Sequence, residues 1–145
     1  MFFALLLILN FHSAAIATDG SFVAGMQLFK PLVVTEVNPL AFQTVTSGTT
    51  GDLVVNSSGD NAAKFDLAGK ANTDMVVSVI DNSVTVSAPN VIKPVVVDNF
   101  TVRAPLALND QGKGTVSIGG TAHIDGYSEE GNYYISSGTL RVVYQ

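Results

Sequence analysis

The chain has 145 residues, no cysteine, no tryptophan and a net charge of −5. That length supports one domain with an ordinary core, and the lack of cysteine excludes disulfide scaffolds and thiolate zinc clusters. The acidic balance, with Lys30, Lys64, Lys70, Lys93, Arg103, Lys113 and Arg141 scattered along the chain, speaks against nucleic acid and anionic lipid as partners.

Residues 1–17 read as a secretory signal. Positions 2–8 are an unbroken apolar run, too short to span a bilayer as a helix, and Ala15-Ile16-Ala17 supplies the small-x-small pattern of a signal-peptidase site. No Lys or Arg precedes the run, as if the start had been placed too late. The alternatives are a buried N-terminal strand or a membrane anchor. Taking 17 residues from 145 leaves 128, so residues 18–145 are expected to form one domain that keeps every charged side chain and has no membrane span.

This remainder is rich in Val, Thr, Ser, Gly and Asn, and strands are expected at about 22–28, 32–37, 40–45, 52–55, 64–67, 75–80, 83–87, 95–102, 115–124 and 133–144. In the first, Phe22, Ala24, Met26 and Leu28 alternate as an apolar set. Such a strand either pairs in its own sheet or inserts into the open edge of a neighbour's. Residues 61–71 are ambiguous: Ala63, Leu67, Ala68 and Ala71 suit a helical face, whereas Ala63, Phe65 and Leu67 alternate, and Gly69 favours the strand.

Turn chemistry falls at 47–51, 56–61, 81–82 and 109–112. Short connections favour antiparallel pairing. An all-β fold follows, an antiparallel immunoglobulin-like β-sandwich with a closed antiparallel barrel as the alternative.

The last third reads as two long strands joined by a polar turn at 125–131. Val116, Ile118, Ala122 and Ile124 share one face of the first; Tyr134, Leu140, Val142 and Tyr144 share one face of the closing strand. The pair is expected to form a hairpin at the centre of the fold.

Lys30-Pro31-Leu32-Val33-Val34, Asn38-Pro39-Leu40-Ala41-Phe42, the run 63–69 (AKFDLAG), Ile118-Gly119-Gly120-Thr121, and Gly131-Asn132-Tyr133-Tyr134 with Val142-Val143-Tyr144 follow one another in order. Through these pieces, residues 22–145 resemble the domain of unknown function 4402 family, small secreted proteins of Gram-negative bacteria. Two positions depart from its pattern: Gln43 after Phe42, where glycine is usual, and Gly138, where a larger residue is common. The resemblance implies a secreted β-sandwich in the periplasm, on the outer surface or outside the cell. The ending, with its penultimate Tyr144, also resembles chaperone-usher pilin subunits, which lend strands to one another; those commonly carry a cysteine pair that this chain lacks.

Catalytic patterns are absent from the sequence. His123, the one histidine after residue 17, lies on the face opposite Val116 and Ile118 and reads as a surface residue. No Gly-x-Ser-x-Gly elbow occurs, and the adjacent Glu129 and Glu130 read as solvated turn residues rather than a glycosidase pair. Asp60 and Asn61 with another loop, or Asn109 with Asp110, offer oxygens for a weak calcium site, although a hard cation needs several converging oxygens and no EF-hand loop is present. Sequons at Asn56 and Asn99 matter only in a host that glycosylates them. The expectation is a non-enzymatic structural or adhesive surface protein without cofactor. It would polymerise by strand addition to itself or to other surface subunits, assisted by a periplasmic chaperone. The alternative is a monomeric module that binds a carbohydrate or another ligand.

Overall fold

The computed structural model of the chain describes residues 25–46, 48–89, 93–125, 133–135 and 137–145, excluding the side chains of Tyr134 and Ile135. The expected signal and its cleavage site, Phe22 and Ala24, the turn at 126–131, and with it Glu129 and Glu130, lie outside the described residues. Among the described residues nine strands form: β1 (Val33–Asn38), β2 (Gly51–Val55), β3 (Ala63–Ala68), β4 (Met75–Val79), β5 (Ser83–Ser87), β6 (Val95–Arg103), β7 (Lys113–Ile124), β8 (Tyr134–Ile135) and β9 (Leu140–Tyr144). The described residues contain no helix, so none is long and apolar enough to cross a membrane.

All strand pairs are antiparallel. A curled seven-stranded sheet runs β1-β3-β7-β6-β5-β8, with β2 also on β7, and β4 and β9 form a second, two-stranded sheet. Residues 63–68 are a strand, as their alternation predicts: Ala63 and Leu67 are buried while Asp66 is exposed.

The twelve-residue β7 is the spine. One edge pairs with β6 over residues 117–123; the other is shared end to end by β3 on residues 113–118 and β2 on residues 120–124. At the junction, a Cβ on Gly119 would collide with the Val55 carbonyl and the Ser57 nitrogen, and one on Gly120 would come 3.1 Å from the Phe100 ring. The Gly119-Gly120 pair is therefore what lets two strands meet on one edge.

The core has two parts. Ala63, Leu67, Val116 and Ile118 of the large sheet pack with Met75 and Leu108, and Val77, Val79, Leu140, Val142 and Tyr144 of the second sheet close over them. Beyond them, Val86, Val95, Val97 and Ala122 gather Leu40, Phe42, Leu53 and Phe100. Leu67, Leu108, Val97 and Val116 are almost wholly buried, each stabilising the fold by about 1.5–3 kcal/mol relative to exposure.

Four expectations need correction. The C-terminal hairpin does not form: β7 is paired on both edges, and β9 pairs with β4 in the other sheet. The expected strand at 133–144 is split, because β8 pairs with β5 before the chain crosses to β9. The short 81–82 link joins β4 to β5, which belong to different sheets. Residues 25–28 of the expected first strand and 40–45 of the third join no ladder. Met26 and Leu28 are 82% and 80% exposed, and in the third only the inward alternation of Leu40 and Phe42 survives.

Tyr144 fastens the start of the fold to its end. Its hydroxyl donates to the Lys30 carbonyl (3.0 Å) and accepts the Lys70 N–H (2.8 Å), and its ring stacks on Phe29 at 5.7 Å between centroids. The Lys70 ammonium lies 4.2 Å from the Phe29 ring centroid. A Cβ on Gly69 would occupy the place of the Tyr144 hydroxyl, which explains glycine there. Removing that hydroxyl in Tyr144→Phe should lower unfolding free energy by about 1–3 kcal/mol in urea titration, two hydrogen bonds at about 0.5–1.5 kcal/mol each. An unchanged midpoint would show that the latch carries no stability. Gly119→Ala should cost at least about 1–3 kcal/mol by overpacking the junction, and a variant as stable as the parent would contradict the shared-edge explanation.

Candidate functional site

The second sheet covers only the first part of the core. Over the rest, the large sheet faces residues 39–46, 48 and 49, and an apolar groove of about 880 Å³ remains between them. Ile118, Ala122 and Ile124 of β7 form its floor with Val95 and Leu53, and Leu40 and Phe42 stand opposite. Phe100 is turned inward by a bulge between Asp98 and Thr101, where Asn99 takes a φ of 50°, a conformation asparagine tolerates better than most residues. Residues 39–46 cover this region without forming a ladder, and Leu140, where β9 begins, also lines the groove. Among the described residues β9 has β4 as its one strand neighbour.

Glu36 is the one charged residue among the described lining residues. The groove therefore offers apolar contact and an adjacent strand edge, with no nucleophile and base side by side. Of the donor residues singled out by pattern, Met26 and Leu28 are exposed and outside the groove. Leu140, Val142 and Tyr144 do share the inward face of β9, and Tyr134 lies in β8, opposite Ser87.

His123 is on the outer face of the large sheet, as alternation predicts, but with partners the sequence did not reveal. Its Nδ1 lies 2.7 Å from Asp52 Oδ1 on β2 and its Nε2 lies 2.7 Å from Asp98 Oδ1 on β6. Both carboxylates accept, so both ring nitrogens must donate, which requires the imidazolium. The hydrogen bond to Asp98, then that to Asp52, holds the His123 pKa above its ordinary 6.5. The signal available in the sequence was that all three residues fall on outward positions of strands; their register was not readable.

Of the calcium candidates, Asn109 has its side chain engaged within its own loop. Its Oδ1 accepts the backbone N–H groups of Gln111 (3.0 Å) and Lys113 (2.8 Å), fastening its own turn. Among the described residues no three His, Asp or Glu side chains gather as a metal set.

The fold and groove define a class: an all-β domain of two antiparallel layers with an open apolar interior. Residues 32–144 match the family described as Domain of unknown function (DUF4402), and the chain belongs to that family. No curated protein and no solved structure matches it significantly.

A raised histidine pKa stabilises the fold fully below the unfolded value near 6.5, and that contribution is lost as pH rises through the folded value. The melting temperature of the parent should therefore exceed that of His123→Asn most at about pH 5.5–6, where the carboxylates are still ionised, and the difference should shrink in alkaline buffer. An NMR titration placing His123 at or below 6.5 would refute the bridge.

Proposed function

We propose that this chain is a secreted, non-enzymatic structural or adhesive surface protein that assembles by lending its N-terminal strand to the groove of a neighbouring copy. The observation that carries this reading is the apolar groove beside β9, a strand that among the described residues has β4 as its one neighbour. An incoming strand would add main-chain hydrogen bonds to a free edge and press alternate side chains into the interior. The donor is the 22–28 segment. Its alternating Phe22, Ala24, Met26 and Leu28 suit a groove lined by aliphatic and phenylalanine side chains, and its described part has no partner in its own sheet. The Tyr144 latch fixes Phe29 and Lys30, so the segment leaves the fold at a defined point.

Before assembly a periplasmic chaperone would cover the same groove. The apolar run at residues 2–8 supports a setting for this assembly in the periplasm, on the outer surface or outside the cell of a Gram-negative bacterium. A second reading, a monomeric binding module, draws on the groove volume, which falls in the range of about 300–1,000 Å³ typical of ligand pockets. Its lining favours an apolar ligand over a neutral sugar.

Residues 18–145 should form concentration-dependent oligomers by light scattering. Deleting residues 21–28 should leave a folded monomer whose melting temperature rises on adding a peptide of residues 18–29. A parent that stays monomeric at high concentration, with residues 25–28 protected from hydrogen exchange, would defeat the proposal.

A further inference from the structure

The outer face of the large sheet carries a cleft of about 510 Å³ that is separate from the groove. Its floor is Ser117, opposite Lys64 on β3 and opposite Arg103 on β6. With strands about 4.8 Å apart, the two Cα atoms stand about 10 Å apart across that serine, within reach of one anionic group above it. Two of the seven Lys and Arg residues, 39 positions apart in the chain, are thus brought to one site. Among the described residues neither is in an ion pair.

Hydroxyls complete the cleft. Thr115 lies two residues from Ser117 on the same face, and its hydroxyl donates to Asp66 (3.2 Å), leaving its oxygen as an acceptor. Asp66 borders the cleft without lining it, so the described walls hold no carboxylate. The opposite wall is Ser57-Ser58, held by Asn56: its Oδ1 accepts the Ser58 N–H and the Ser58 hydroxyl, both at 3.0 Å, and its carbonyl accepts the Gly59 N–H at 2.9 Å. The contact of Ser57 with Gly119 brings this wall onto the sheet.

We infer that this cleft binds an acidic monosaccharide unit, through one carboxylate or sulfate group held between Lys64 and Arg103 and sugar hydroxyls met by Ser57, Ser58, Thr115 and Ser117. Arginine and lysine supply donors only, so the group between them must accept. The volume exceeds what a bare oxyanion needs, and the four hydroxyl side chains, which line the cleft beside Ala104 and Pro105, suit a hydroxylated ligand. Among the described residues no aromatic ring lines the cleft, so selection rests on charge rather than on stacking.

The test is isothermal titration of the monomeric 21–28 deletion variant, in low salt, with glucuronate, glucose 6-sulfate, glucose and inorganic sulfate. At least one acidic sugar should bind, about tenfold or more tighter than glucose and than inorganic sulfate, and added salt should weaken it. Which acid binds separates carboxylate from sulfate as the recognised group. Arg103→Gln and Lys64→Gln should each lose about tenfold in affinity while keeping the parent's circular dichroism. Three outcomes overturn the inference: no acidic sugar binds, glucose or sulfate binds equally well, or both variants bind like the parent. Since the readout is made on a chain that cannot donate its strand, it stands or falls apart from the assembly proposal.

Discussion

One edge of β7 must hold two strands, and much of the structure follows from that constraint. β2 ends at Val55, opposite Gly120, and β3 begins at Ala63, opposite Ile118, so the chain between them has to leave the sheet and return within the space of Gly119. A side chain there would drive the Val55 carbonyl and the Ser57 nitrogen off the strand. Glycine weakens a strand interior by giving up packing and by its greater unfolded entropy. Here that cost is offset by two ladders on one edge and by a loop folded onto the outer face. The inward side of the same junction admits the Phe100 ring over Gly120, which ties the two parts of the core together.

Because both edges of β7 are taken, β9 has to find its partner elsewhere, and β4 is the strand left over. A two-stranded second layer is too narrow for a curled sheet of seven, so it closes one part of the core and stops. Residues 39–46 extend over the other part, but they are tied to the rest of the described fold by the Ala41 N–H donating to the Asn61 carbonyl rather than by a ladder. The groove is the geometric remainder of unequal layers. Its apolar lining carries a standing hydrophobic penalty, and every 100 Å² covered by an occupant returns about 2.5 kcal/mol.

The alternation of apolar residues told which way side chains face, and it did so well. Val116, Ile118 and Ala122 point inward as expected, His123 points out, and residues 63–68 are a strand although their alanines also fit a helix. Alternation is silent on partners. It made 115–124 and 133–144 look like a hairpin, since two amphipathic strands near each other in sequence pair most simply; the saturated edges of β7 decided otherwise. The same silence hid the candidate sites. Lys64 and Arg103 read as scattered charges, and Asp52 and Asp98 as ordinary outward carboxylates, until register placed them beside Ser117 and His123. Leu40 and Phe42 alternate like a strand because burial against the groove imposes the pattern even where no ladder forms.

The outer face holds two charge clusters of opposite character. At His123 the arrangement is closed: one imidazolium satisfies two carboxylates, and no donor is left over to recruit a ligand. Between Lys64 and Arg103 it is open, with donors on both sides of a serine and no carboxylate between them. A protein of net charge −5 repels anions at long range, yet that field is screened beyond about 8 Å at physiological ionic strength. Short contacts within the cleft therefore outweigh the global charge. An anion that binds there does so without electrostatic steering, so its selectivity has to come from the fit of the group between the two cations. That fit depends on the Asn56-held wall, and so in turn on the absence of a side chain at Gly119.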